Sequence, residues 1–239
     1  MQASTVRRAR GSRRRPGSSP FPARASALVS LALVLMLAGC GTVMQTSVDF
    51  VRTAVAGKDD LSEAATKVAA LPYASLLMDD GQYRAVMVLG NDDEGRLSWH
   101  SRQAVVFLCE GGVLCGTHGL RAGLDEARIE GDNPFTDLRT VGEAGITVSR
   151  RYDWRSGYRY GVPVTGQLRR VGQETVADPL GRSRTLARYE ERLEGPGVEG
   201  TNTYWVDPAT GVLWKSRQLA APDVYLEISL IKPYRRRSQ

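Results

Sequence analysis

The sequence predicts a mainly β fold, an antiparallel curved sheet or partly open β-barrel with short N-terminal helices. Three observations carry that expectation. After Pro72 the apolar residues recur at every second position. Short strings rich in Gly, Asn and Asp interrupt these runs at close intervals. Helix-period patterning is confined to the segment before Pro72.

Between residues 41 and 70, Val48, Val51 and Val55, with Phe50 and Ala54, repeat at three to four residues and mark a helical face. Gly57 ends this segment. Asp60 then stands three residues before Glu63, which predicts a capping-box start for a helix over Leu61 to Ala69, closed by Pro72. Strand runs follow at 83–89 and 96–99, with Asn91 to Gly95 as the turn between them. Ala104 to Cys109 and Val113 to Thr117 form a second hairpin around Glu110-Gly111-Gly112. Residues 121–143, with Pro134 and several acids, read as loop with a short helix. Strand character resumes over 145–154, 162–176, 185–193, 201–206, 212–218 and 224–231. Neither an internal repeat nor a linker divides this part of the chain.

The N-terminus has a different character. Residues 25–38 form an apolar run of about 14 residues, shorter than the ~20 that span a bilayer. A basic stretch precedes it and Leu37-Ala38-Gly39-Cys40 follows it, the order of a signal peptide whose end resembles the lipobox of bacterial lipoproteins. That resemblance implies cleavage before Cys40 and covalent acylation of its thiol and amine. Several chains on one residue exceed the one-chain limit of reversible membrane binding. Gly41 stands where an Asp would resemble an inner-membrane retention signal, so the outer membrane is expected, with the domain facing the periplasm. The chain divides into a signal peptide (1–39), an anchored helical segment (40–70), a β-domain (71–234) and a basic tail (235–239).

Of the 32 Lys and Arg residues, seven precede residue 40: Arg7, Arg8, Arg10, Arg13, Arg14, Arg15 and Arg24. Without the leader the balance is 25 basic against 26 acidic residues, a net charge of −1. The formal +6 thus belongs to the leader, and a nucleic-acid partner is not expected. The tail Arg235-Arg236-Arg237 is either a solvated end or a contact for anionic lipid or glycan.

The densest aromatic and basic segment is 150–160. Aromatic faces stack on sugar C–H faces, and arginines grip acidic sugar groups. Arg151, Tyr152, Trp154, Arg155, Tyr158, Arg159 and Tyr160 are therefore candidates for glycan contact. The competing expectation is a hairpin around Ser156-Gly157, with Tyr152 and Trp154 packed inward and Arg151, Asp153 and Arg155 facing solvent. Cys109 and Cys115 are disulfide candidates in an oxidising compartment. A loop at 110–112 sets Cys109 opposite Val113 and Cys115 on a diagonal about 7 Å away at Cα, near the upper limit for a bridge. A direct pair requires Gly111-Gly112-Val113 as the loop, and two buried free thiols are the alternative.

His100 and His118 lack the ligand spacing of a zinc site. No G-x-S-x-G, HExxH or P-loop string occurs. Acidic pairs such as Glu190-Glu191 read as solvated-face charges. No metal, catalytic residue or cofactor beyond the lipid on Cys40 is expected.

Five strings in order carry a family resemblance. They are Leu71-Pro72-Tyr73-Ala74-Ser75, then Asp153-Trp154 with Gly157-Tyr158-Arg159-Tyr160-Gly161, then Tyr204-Trp205-Val206-Asp207-Pro208 with Thr210-Gly211. Lys215-Ser216-Arg217-Gln218 and Leu230-Ile231-Lys232-Pro233-Tyr234 complete the set. Together, after a lipobox, they resemble the YjbF/GfcB family of group 4 capsule and exopolysaccharide lipoproteins. The resemblance implies an outer-membrane lipoprotein of polysaccharide export, with an outer-membrane β-barrel protein and a periplasmic assembly protein as partners. It implies no catalytic residues. The Trp205-to-Gly211 string also resembles a hairpin of half-barrel lipoprotein carriers, which supports a curved open sheet. The expected function is a non-enzymatic assembly component. A carrier of lipid or glycan in the hollow of the sheet is the alternative, and a polysaccharide-modifying enzyme the third reading.

Overall fold

The computed structural model describes residues 58–235. The expectations for the signal peptide, Cys40, residues 40–57 and the end of the basic tail lie outside the described residues. Helix α1 (Lys58–Ala69) leads into twelve strands. The first five are β1 (Ser75–Asp79), β2 (Arg84–Asp93), β3 (Arg96–His100), β4 (Val105–Cys109) and β5 (Val113–His118). Then come β6 (Leu124–Glu130), β7 (Ile146–Trp154), β8 (Arg159–Ala177), β9 (Ser183–Gly195), β10 (Val198–Val206), β11 (Leu213–Ala221) and β12 (Val224–Lys232).

All neighbours pair antiparallel, in the order β5-β4-β3-β2-β1-β12-β11-β10-β9-β8-β7-β6. Two meanders, β1–β5 and β6–β12, are thus joined through the first and last strands. The two edges, β5 and β6, are consecutive in the chain. They meet where the Leu124 amide donates to Thr117 Oγ1 at 3.2 Å, a side-chain bond in place of a ladder. The result is a nearly closed, barrel-like sheet, within the expected class.

Local chemistry explains the hairpins. At the β2–β3 turn Glu94 and Gly95 both adopt positive φ (49° and 101°), the pairing whose twist matches that of the flanking strands. The Asp92 carboxylate accepts the Gly95 amide at 2.8 Å. β2 therefore runs to Asp93, four residues past the expected end of the run at 83–89. Along β2, Ala85, Met87 and Leu89 face the barrel interior. Val86 and Val88 face outward onto Ala64, Ala65 and Val68 of α1. Burial on both faces explains why residues 85–89 of this strand are continuously apolar.

Two strands were not expected. β1 is a short apolar run without polar alternation, because its outward Leu77 also lies under α1. β6 falls in the stretch that reads as loop, because it is an edge strand with a polar outer face and a register shift between Leu124 and Glu126, which breaks the period of two. The helix expected within the same stretch is present as the short turn Pro134–Thr140, capped by Asn133. Helix α1 begins at Lys58 rather than after Asp60.

The interior has two apolar regions. The larger contains Met78, Met87, Trp99, Leu124, Tyr152 and Trp154. The second lies at one end, where Phe135, Leu138 and Val141 pack on Val148, Leu168, Tyr189 and Tyr204. β8 and β9 outrun their neighbours, and Leu180 at their turn packs against the apolar cluster under α1.

Candidate functional site

Four polar side chains meet inside the barrel: Arg150 on β7, Glu191 on β9, and Asn202 and Tyr204 on β10. All are at most 2% exposed. Arg150 donates through Nε to Glu191 Oε1 at 2.5 Å and through Nη2 to Oε2 at 2.8 Å. The Tyr204 hydroxyl and Asn202 Nδ2 also donate to Oε2, at 2.9 and 3.0 Å. Asn202 Oδ1 accepts the Leu219 amide of β11 at 2.7 Å. The guanidinium lies 4.9 Å from the Phe135 ring centroid.

β8 separates Arg150 from Glu191. Arg150 stands opposite Val164 and Glu191 opposite Leu168, so Gly166 lies between them. A Cβ at Gly166 would collide with the Glu191 carboxylate. The missing side chain gives the ion pair its space.

The electrostatics follow from this burial. Desolvation opposes the charge on Arg150, but the Glu191 carboxylate outweighs it and holds the guanidinium protonated. Burial, and then the same carboxylate, push the Tyr204 phenol well above its ordinary range. Burial also raises Tyr152. A carboxylate that accepts four such bonds joins strands, because its lone pairs are committed to fixed donors. Glu191 therefore differs from the expected solvated-face charge: β9 alternates, and Glu190 takes the outer position, bonded to Arg188 at 2.6 Å. An arginine and a glutamate 41 residues apart give no local sign of pairing, so this cluster was missed. The glycine at 166 was its only trace.

The aromatic–basic segment is divided by the pleat. Tyr152 and Trp154 were candidates for glycan contact, but both point inward and stack at 4.9 Å between centroids and 11° between planes. Trp154 Nε1 donates to the Ala220 carbonyl at 2.8 Å. They are core residues, out of reach of a polymer at the surface. Arg151 bonds Glu130 at 2.7 Å and the Gly161 carbonyl at 3.0 Å. Arg155 pairs with Asp125 at 2.5 Å. Arg159 lies 5.1 Å from the Trp154 ring centroid and donates to the Pro196 carbonyl. Tyr158 and Tyr160 remain on the surface, 85% and 56% exposed.

Cys109 and Cys115 form a disulfide with a Cα separation of 5.7 Å. The loop is 110–112, with Cys109 opposite Val113. Leu114 faces Leu108 and Gly116 faces Phe107, which leaves Cys115 as the extra residue of a bulge. The bulge, rather than a different loop, brings the sulfurs together. Both thiols are consumed, and His100 Nε2 lies 3.1 Å from Ser98 Oγ.

Two hollows accompany these groups. A cavity of about 260 Å³ opens at the end covered by Pro134–Thr140, lined by Leu97, Leu108, Leu138, Leu213, Ile228 and Leu230 among others. A groove of about 220 Å³ lies along the β5–β6 seam beside the disulfide, between Arg96 and Arg128.

The sequence strings behind the family resemblance act largely as joints. Gln218 of β11 donates to the Gly112 carbonyl at 2.9 Å and accepts the Leu114 amide at 2.9 Å, which ties the β4–β5 hairpin across the interior. Lys232 donates to the Leu71 carbonyl at 2.6 Å. Asp153 accepts the Gly161 amide.

The family model described as group 4 capsule polysaccharide lipoprotein GfcB, YjbF, matches residues 48–231. The uncharacterized lipoprotein GfcB of Escherichia coli (strain K12) is 28% identical over 212 residues, covering 86% of this chain and 98% of its own. The crystal structure of the hypothetical lipoprotein YmcC from Escherichia coli (K12) superposes with a TM-score of 0.63 at 25% identity, covering 74% of this chain and 92% of that one. The order of strands, the joints made by the five strings and the match over most of the chain lead to one conclusion: this chain belongs to the YjbF family of group 4 capsule polysaccharide lipoproteins.

Proposed function

We propose that the protein is a non-enzymatic component of capsule or exopolysaccharide export. Lipid on Cys40 would hold its β-domain at the periplasmic face of the outer membrane. The observation that carries this reading is the commitment of interior chemistry to structure. Glu191, fully buried, has both oxygens occupied by Arg150, Asn202 and Tyr204. Proton transfer needs a carboxyl that can gain or lose its proton at a substrate. The work of such a domain falls to its outer surface. Its partners are proposed to be an outer-membrane β-barrel protein, a periplasmic secretion protein and the polymer itself.

The test is polysaccharide, cell-associated and secreted, in a strain lacking the protein and complemented with wild type or Cys40→Ala. Loss of polymer restored only by wild type supports a membrane-tethered role. Restoration by both assigns the role to the β-domain without its anchor. Unchanged polymer under inducing conditions refutes the reading. Pull-down from detergent extracts identifies the partners.

The apolar cavity favours a second reading, a carrier. Its 260 Å³ is slightly below the ~300–1,000 Å³ of drug-sized ligand sites, so it would take the end of one acyl chain. Mass spectrometry of an organic extract of the purified protein tests this: a stoichiometric lipid beyond the Cys40 acyl groups supports a carrier, and none refutes it.

A further inference from the structure

Tyr158 occupies an unusual position. It closes the β7–β8 turn with φ of 52°, in the left-handed region that bulky residues avoid. Gly157 before it also has positive φ, at 73°, and there glycine suits the need. The tyrosine is 85% exposed, and no described residue bonds or stacks with its ring. The fold thus bears a strained residue whose side chain returns no contact within the described chain. Non-glycine residues in this region are found at turns and cluster at functional sites.

The support beneath the turn is rigid. Trp154 is stacked on Tyr152 and bonded to Ala220. Arg159 reaches from over Trp154 to the carbonyl of Pro196 in the adjacent β9–β10 turn. The Arg155 amide donates to the Gly123 carbonyl at 3.0 Å, and its guanidinium pairs with Asp125. Tyr160, two residues on, is 56% exposed and also lacks a bonded partner among the described residues. Two exposed phenol rings, one on the turn and one at the start of β8, therefore sit where three neighbouring segments brace the chain.

Charge narrows the class of ligand. The guanidinium groups nearest the rings are engaged: Arg151 by Glu130, Arg155 by Asp125, Arg159 by a carbonyl. A partner selected by its anionic charge would meet two arginines already paired with carboxylates and a third, Arg159, held to the backbone of the β9–β10 turn. Ring faces and phenol hydroxyls instead suit a sugar, whose C–H face stacks on an aromatic ring while its hydroxyls take hydrogen bonds.

We propose that Tyr158 and Tyr160 form a surface platform at the β7–β8 turn that stacks on the sugar rings of a polysaccharide strand. This deepens the capsule-export reading and rests on it for the choice of polymer. The platform is small and pre-ordered, and two rings alone give weak, repetitive binding along a polymer.

The experiment uses the full mature protein in detergent micelles and the surface polysaccharide purified from the strain that carries it. Dextran and phosphatidylglycerol vesicles serve as comparisons, and affinity is read by affinity electrophoresis and flotation. Tyr158→Gly deletes the ring and suits the positive φ, so this variant should melt no lower than wild type and bind the polymer roughly three- to ten-fold more weakly, the effect of one lost aromatic contact. Tyr160→Ser should behave alike in binding, and Tyr158→Trp should retain it. Polymer binding unchanged in both Tyr158→Gly and Tyr160→Ser overturns the platform. So does a wild type that floats with vesicles but ignores the polymer. The two readings separate cleanly. Lost export in the deletion strain, with no binding of purified polymer, removes the platform and leaves the capsule reading. Ring-dependent binding with normal export in the deletion strain does the reverse.

Discussion

Replacing Glu191 by Gln should be among the most destabilising single-atom changes available in this domain. The side chains of Arg150 and Glu191 are 1% and 0% exposed, so water cannot enter to replace a lost partner. The new amide would present an NH₂ group to donors on Arg150, Asn202 or Tyr204, whichever way it turned. Arg150 would remain charged without a counter-ion. Removing one partner of a buried pair in this way costs about 3–5 kcal/mol. For a domain of this size that corresponds to a fall in Tm of roughly 6–20 °C. Urea unfolding and calorimetry of the purified protein measure it. The paired change Arg150→Met with Glu191→Leu should recover most of the loss, because apolar residues of similar volume leave no orphaned charge. Gly166→Ala should destabilise through the same cluster by pressing on the carboxylate, although it removes no bond. A Glu191→Gln variant within about 1 kcal/mol of wild type would refute the argument. It would mean that the carboxylate is hydrated or unpaired in solution.

Three further outcomes are expected. Reduction should raise the mass by ~2 Da, one hydrogen for each sulfur of Cys109–Cys115, and the short loop it opens predicts a stability loss of roughly 2 kcal/mol by chain entropy, read as a lower urea midpoint; an unchanged midpoint would show the bulge holds the hairpin unaided. For Asp178, burial acts to raise the carboxyl, but hydrogen bonds from the Arg182 amide and guanidinium and from the Leu180 amide outweigh it and hold the group below its usual value. Its stabilisation is complete above the unfolded value of about 3.9 and is lost as pH falls through the lowered folded value, so Asp178→Asn should flatten the decline in Tm below about pH 4; equal slopes would exclude the linkage. Cys40→Ala should release the protein into the soluble periplasmic fraction, and continued sedimentation with membranes would defeat the anchor.

Much of the fold was legible because strand periodicity is local. Wherever one face met the core and the other met water, as along β7 and β9, alternation marked the strand. It failed at β1, whose outer face is covered by α1, and at β6, an edge strand with a shifted register. In both cases the missing information was which surface the strand would lie against. The strip at 150–160 shows the same boundary. Its hairpin was readable, but the role of each side chain depended on the pleat, which sends Tyr152 and Trp154 inward and leaves Tyr158 on the turn and Tyr160 at the start of β8 exposed.

The sequence by itself determined the fold class, the order of the hairpins, the family resemblance and the expectation of a lipid-anchored chain. These rest on residue type and short spacing, which act through propensity, turn geometry and linear signals. The tertiary structure decided the rest. It brought Arg150 to Glu191 across a glycine, turned Cys115 toward Cys109 through a bulge, and tied Gln218 to a hairpin about a hundred residues earlier. Each depends on closing the sheet nearly into a barrel, which places distant residues in one low-dielectric interior where an unpaired polar group is costly and a partner must be found.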